Sequence, residues 1–271
     1  MHGPTGFRRL YVTDPLAIPL VFLSLPLVFF VATMPAWAVE VTPKSTVSAS
    51  LHPLDPSIAT TTFQSLDQSI QIDSDFCGGR LNECFEITPN QYELVVRPER
   101  KPINNSAWYA FRVRSSQARN IKMHLRYEGG THRYTPRISN DGIVWRDGQH
   151  LVSSVHPNGA ELVLQLDVGP KILWVSAQEL ISNEDTERWS EKLATLPYVT
   201  RSVCGSSVEG RPISKLVIGD GQAESPGYVF IMGRLHPPET TGAIGLMRFA
   251  EAIAAKTELA ERFRRSFHVV V

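Results

Sequence analysis

Neither sign of charge is in excess: 27 lysines and arginines balance 27 aspartates and glutamates over 271 residues. A surface without charge bias offers no long-range pull toward nucleic acid or an anionic membrane, so neither partner is expected. Cysteine is scarce as well, with three in the chain, and none stands at zinc-finger spacing, which argues against a structural zinc module. Charge is missing altogether from Pro15 to Val39. Over the whole chain, 42% apolar and 20% charged residues describe ordinary globular protein.

The charge-free run follows Arg8 and Arg9 and contains the apolar core "PLAIPLVFLSLPLVFFVA". Ala36-Trp37-Ala38 then has the small-x-small form of a signal-peptidase site. Residues 1–38 therefore read as a signal peptide, cleaved after Ala38 to leave 233 residues and an exported protein, periplasmic or secreted. The competing reading is an uncleaved anchor, since 25 uncharged residues can span a bilayer. Pro19, Pro26 and Pro35 and the cleavage site favour removal. No stable membrane partner is expected unless the signal stays on.

Residues 39–69, rich in Ser, Thr, Ala and Pro, read as a tether. Residues 70–182 carry a β pattern. Ile121, Met123, Leu125 and Tyr127 alternate with Lys122, His124 and Arg126, as in a half-buried strand. "SAWYAFRVR", "ELVLQLDV" and "KILWVSA" are further strands, the last two joined at Gly169-Pro170, and Asn140-Asp141-Gly142 signals a turn. Short strands without helices between them predict an antiparallel sandwich.

Residues 183–271 change pattern. "NEDTERWSEKLATL" is predicted helical, with Trp189, Leu193 and Leu196 on one face. "ISKLVIGDG" and "GYVFIMGRL" are predicted strands, "TTGAIGLMRFAEAIAAKTELAERFRRS" a helix and "FHVVV" a last, buried-type strand. That is the opening of an α/β domain with too few residues to cover both faces of its sheet, so the chain is expected to be a piece of a longer protein.

Cys77 and Cys84 bracket Gly78 and Gly79, which permit a tight reversal; the pair is either a disulfide of an oxidising compartment or two ordinary thiols. Cys204, left over, is expected as a small buried residue.

The candidate chemistry lies in "GRLHPPETTGAIG", Gly233–Gly245. His236 follows an apolar strand, at the carboxyl end of a sheet where open α/β folds bind ligands. Pro237 holds His236 out of the helical region, and Pro238 suits a first helical turn. Glu239 opens the helix that starts near Thr240. A strand end and a helix start can thus aim an imidazole and a carboxylate at one zinc ion. The bland alternative is a helix-start acid beside a surface histidine. His268 reads as a strand residue, His132, His150 and His156 as surface polar residues, and Arg211 as structural.

"SSVEGRPISKLVIGD" followed by "GYVFIMGRLHPPETTGAIGLMRFAEAI" resembles the opening of the zinc carboxypeptidase domain of the carboxypeptidase A superfamily. The His236-Pro237-Pro238-Glu239 form is similar to that of the cytosolic-carboxypeptidase subgroup, whose N-terminal sandwich carries a "WYAFRV"-like strand and a turn like Ser139–Trp145. The resemblance implies a fold of α/β plus all-β class. An N-terminal antiparallel β-sandwich is followed by the first part of a mixed-sheet α/β/α zinc carboxypeptidase domain. It implies zinc as cofactor, His236 and Glu239 as the first two ligands, and a peptide or protein C-terminus as substrate. The third histidine ligand, the substrate-binding arginines and the general-base glutamate are expected beyond Val271, leaving no catalytic residue in this chain and little activity in it alone. A second hypothesis is a non-catalytic exported protein whose sandwich binds a peptide or glycan.

Overall fold

The computed structural model describes residues 62–98, 105, 108–221 and 227–271. The signal peptide and most of the tether lie outside the described residues.

Alternating apolar and polar side chains build the first unit. Its strands are β1 (Thr62–Gln64), β2 (Ile70–Asp73), β3 (Glu83–Thr88), β4 (Gln91–Val96), β5 (Ala110–Ser115), β6 (Arg119–Tyr127), β7 (Arg137–Ser139), β8 (Arg146–Asp147), β9 (Val152–Val155), β10 (Glu161–Val168) and β11 (Leu173–Ser176). They form two sheets, ordered β1-β2-β5-β11-β7-β8 and β3-β4-β6-β10-β9. In β6 the predicted alternation holds, with Ile121, Met123, Leu125 and Tyr127 buried. They share one core with Ile70, Ile72, Phe111 and Val113 of the first sheet and Tyr92, Leu94, Leu162 and Leu164 of the second. Burial of such side chains, each worth roughly 1.5–3 kcal/mol, is what holds the two layers together. The pairing is antiparallel throughout except between β4 and β6, which run parallel.

Polar side chains on the outer face of the second sheet are paired. Arg97 meets Glu83 at 2.8 Å and Glu128 at 2.5 Å, and Arg126 meets Glu93 at 3.0 Å as well as Glu128. Hydrogen bonds from these guanidinium groups hold Glu83 and Glu128 below the usual carboxylate range.

The turn after β7 forms as its Asn-Asp-Gly sequence predicts. The Asp141 carboxylate accepts from the Ile143 and Val144 amides at 2.9 and 2.8 Å, and the Ser139 hydroxyl accepts from Asp141 and Gly142 at 3.2 and 3.0 Å. Gly142 has φ +74°, which favours glycine, and a Cβ there would stand 3.2 Å from the Trp174 ring, a tight contact.

The second unit begins at α1 (Asn183–Leu193) and continues through β12 (Val199–Ser206), β13 (Pro212–Ile218), β14 (Gly227–Phe230), α2 (Thr240–Ile253), α3 (Glu258–Ser266) and β15 (Phe267–Val270). Ser182 and Asp185 make a reciprocal capping box that starts α1. The sheet is mixed, in the order β12-β13-β15-β14, with β14 and β15 parallel and the other neighbours antiparallel. Leu193, Leu216, Ile218, Ile231, Ala250, Ile253 and Val269 form its core. β14 lies at one edge, with Tyr228 and Phe230 exposed.

Several details depart from the sequence reading. β1 falls within the segment read as a tether; it pairs with β2, and Phe63 packs edge-on against Tyr92 at 5.9 Å. β12 has no counterpart in the sequence pattern, because most of its residues are exposed and carry no alternation. The long helix is two: Thr257 interrupts it and caps α3 by accepting from the Ala260 amide at 3.3 Å. Cys204 is exposed rather than buried, on β12 beside an irregularity between Val203 and Gly205. Cys77 and Cys84 are free thiols. The predicted turn forms at Gly78-Gly79, with the Gly79 amide donating to the Phe76 carbonyl at 2.8 Å, and the chain passes there from β2 in one sheet to β3 in the other. Burial pushes the Cys84 thiol up to about 12. His132 is half-buried rather than a surface residue, with Nδ1 3.1 Å from the Tyr127 hydroxyl, and burial holds its pKa below the usual value.

Candidate metal centre

The loop from Gly233 to Glu239 joins the end of β14 to the start of α2. Gly233 lies tight against α2: a Cβ there would stand 3.0 Å from Leu246 Cδ2 and 3.4 Å from the Gly242 carbonyl oxygen. Arg234 then turns the chain with φ +54°, a conformation that costs a non-glycine residue on the order of 1 kcal/mol. Its side chain compensates by donating to the Pro237 carbonyl at 3.0 Å and to the Ile181 carbonyl.

Beyond this bend the sequence-predicted pair converges. His236 Nδ1 lies 2.7 Å from Glu239 Oε1, and the His236 amide donates to Glu239 Oε2 at 3.2 Å. Glu239 occupies the N-cap position of α2 but makes no side-chain capping bond. Its carboxylate turns back to the histidine, where the bland reading would have it facing the helix amides. These bonds, that from the imidazole first, hold the Glu239 carboxyl below the usual range, so it is ionised at neutral pH. The two side chains are 69% and 49% exposed, and an exposed pair of this kind contributes at most about 1 kcal/mol to stability.

Two further residues contact this loop. Gln178, two residues past β11, donates from Nε2 to the Pro238 carbonyl at 2.6 Å and accepts from the Thr241 hydroxyl at 2.7 Å. The Arg234–Ile181 bond adds a second tie to the same connecting segment. Neither could be found from spacing, because each partner lies more than fifty residues away.

Other candidate residues lie apart from this pair. His268 sits in β15, edge-on to Tyr228 at 5.5 Å. His156 bonds Asn158 at 2.6 Å, and His150 is exposed in a short 3-10 turn. Arg211 pairs with Glu209 at 2.9 Å in the exposed hairpin turn between β12 and β13. Among the described residues no third histidine, cysteine, aspartate or glutamate joins His236 and Glu239. A cavity of about 420 Å³ lies beside the loop, lined by Leu235 and Pro237 together with Trp189, Leu246 and Met247. A larger cleft of about 940 Å³ runs between α1 and the β12–β13 turn and contains neither His236 nor Glu239.

Residues 186–271 match the family model for zinc carboxypeptidase, so the resemblance seen in the sequence holds for the segment that contains the loop. No curated protein matches the sequence. Among solved structures, a metallo-carboxypeptidase from Burkholderia cenocepacia shares the fold with a TM-score of 0.64 at 20% identity, over 74% of this chain and 56% of that one. A metallo-carboxypeptidase from Pseudomonas aeruginosa, in complex with (2-guanidinoethylmercapto)succinic acid, gives 0.61 at 19% identity, over 74% of this chain and 54% of that one. The chain thus spans a little over half the length of these structures. The fold is that of a metallo-carboxypeptidase with a β-rich unit before it.

Proposed function

We propose that this protein is an exported zinc carboxypeptidase, with His236 and Glu239 as two of the zinc ligands. The observation that carries the reading is the 2.7 Å approach of imidazole and carboxylate in the loop between β14 and α2, within the segment that matches the zinc carboxypeptidase family. An imidazole nitrogen and a carboxylate oxygen are donors that zinc accepts, and both belong around 2.0–2.2 Å from the ion. Two donors about a tetrahedral ion stand roughly 3.3 Å apart, so the pair need open by only about half an ångström. Both side chains are exposed enough to do so, while the backbone beneath them is braced.

A bound zinc would polarise a scissile carbonyl and bring the pKa of a water near 7. This chain contributes the loop that presents the two donors. Pro237 and the Arg234 bend aim His236, and Glu239 offers an ionised carboxylate that turns back to the His236 amide and imidazole. The third ligand and the proton-shuttling glutamate that the resemblance implies are assigned outside the described residues. The substrate class is a peptide or protein with a free C-terminus. Export is supported by the basic pair, apolar core and Ala36-Trp37-Ala38 of the leader.

Zinc per chain is the test, measured by elemental analysis on protein expressed from its complete reading frame. The wild type is expected to hold one zinc and His236→Ala to hold far less; equal zinc in the two would overturn the reading. Protein recovered from an exporting host is expected to begin at Val39, and an intact N-terminus would remove the support for export.

A further inference from the structure

We propose that Gln178, at the exit of the sandwich, is a positioning residue for the metal loop. The inference rests on the reading of His236 and Glu239 as ligands. Gln178 touches neither side chain; it bonds the backbone and hydroxyls on both sides of Glu239. Its Nε2 donates to the carbonyl of Pro238, the residue before Glu239, at 2.6 Å. Its Oε1 accepts from the hydroxyls of Thr240 and Thr241, the two residues after, at 3.4 and 2.7 Å. One amide thus spans the peptide that enters Glu239 and the first turn of the helix that leaves it. Rotation of that peptide would swing the Glu239 Cα–Cβ bond, and with it the carboxylate.

The support is rigid because of where it stands. β11 pairs with β5, Val175 opposite Phe111, and just beyond it the Ala177 amide donates to the Tyr109 carbonyl at 2.9 Å. Val175, Ala177 and Tyr109 are fully buried. Gln178 is the next residue, so its position is fixed by the sandwich core. Arg234, bonded to Ile181, ties the other side of the loop to the same connecting segment. The sandwich is then part of the metal site's scaffold, a role that neither its strands nor its sequence advertises. Groups that orient ligands from behind change metal affinity by roughly 10–100-fold when removed.

The experiment compares wild type, Gln178→Ala, Gln178→Glu, Thr241→Val and the Gln178→Ala/Thr241→Val double variant, all expressed from the complete reading frame. Cobalt(II) binding is followed by its visible ligand-field bands and by competition with a chelator. Circular dichroism of the metal-free proteins reports folding. Gln178→Ala is expected to fold, to weaken cobalt binding about 10–100-fold and to alter the band shape. Gln178→Glu keeps the acceptor for Thr241 but loses the amide donor to Pro238, and is expected to fall between wild type and Gln178→Ala. Thr241→Val should have a smaller effect, and the double variant should match Gln178→Ala, because both changes remove the same bond. Wild-type affinity and bands in folded Gln178→Ala would overturn the inference. Should Gln178→Ala not fold, wild-type bands in both Gln178→Glu and Thr241→Val would overturn it instead. His236→Ala separates the two levels. If it binds cobalt as tightly as wild type, the ligand reading fails and this inference with it. If it loses cobalt while the Gln178 variants do not, only the positioning role fails.

Discussion

Arg264→Ala is expected to destabilise the protein by about 3–5 kcal/mol, the range for removing one partner from a buried ion pair. Arg264 is 3% exposed, although it comes from the polar end of α3. Its guanidinium donates to the carbonyls of Ile253 and Ala255 at 2.6 and 2.9 Å and to Asp220 at 3.2 Å. Those carbonyls belong to the C-terminal end of α2, where the helix leaves acceptors unsatisfied and favours positive charge. The guanidinium also lies 3.9 Å over the Tyr198 ring, whose hydroxyl donates to the Ala254 carbonyl at 2.7 Å. One side chain therefore closes the corner between α2 and α3 and ties it to the end of β13. Alanine would leave Asp220 and two carbonyls without their donor in a site too closed for ready hydration. Arg264→Lys keeps the charge but cannot serve three acceptors over an aromatic ring, so about half the loss is expected to remain. Urea unfolding curves of the three proteins measure this. A change below about 1 kcal/mol for Arg264→Ala would show that the corner is held by packing alone.

The same corner shows where sequence stops informing structure. Arg262, Arg264 and Arg265 are alike in the sequence, and basic residues late in a helix are ordinarily solvated. Only the return of α3 over α2 distinguishes Arg264, and that return depends on Thr257 ending one helix and capping the next. A period of 3.6 runs through both helices and hides the break. β6 was legible because one face is core and the other wet, so burial writes a period of two. β12 was not, since Arg201 to Ser206 are mostly exposed and no burial marks them. His236 and Glu239 were legible as a candidate pair because two prolines and a helix start constrain them locally. That the Glu239 carboxylate turns to His236 and away from the α2 amides is a matter of side-chain rotamer, which spacing does not fix. Gln178 was invisible: its partners lie sixty or more residues away, and glutamine carries no motif.

Phe111→Ala in the sandwich is the other large effect expected, again about 3–5 kcal/mol, from lost burial plus a cavity that the surroundings refill only partly. Phe111 is fully buried near the start of β5, paired with Val175 of β11, and its ring centroid lies 6.3 Å from that of Tyr109. Strands on both sides are hydrogen-bonded to β5, which limits how far the backbone can move inward to fill the space. Leu66→Ala is the control: Leu66 is 89% exposed in the turn after β1, and its truncation should change stability by less than about 0.5 kcal/mol. Urea unfolding followed by tryptophan fluorescence is weighted toward the sandwich, which holds Trp108, Trp145 and Trp174, while Trp189 packs against the core of the second unit. The two apolar cores share no residue, so the α/β unit should keep its own packing when Phe111 is truncated. Below the unfolding transition, Phe111→Ala is therefore expected to leave the circular dichroism of the folded protein unchanged. A cost under about 1 kcal/mol would mean that β5 collapses onto the vacated space, against the two ladders that flank it.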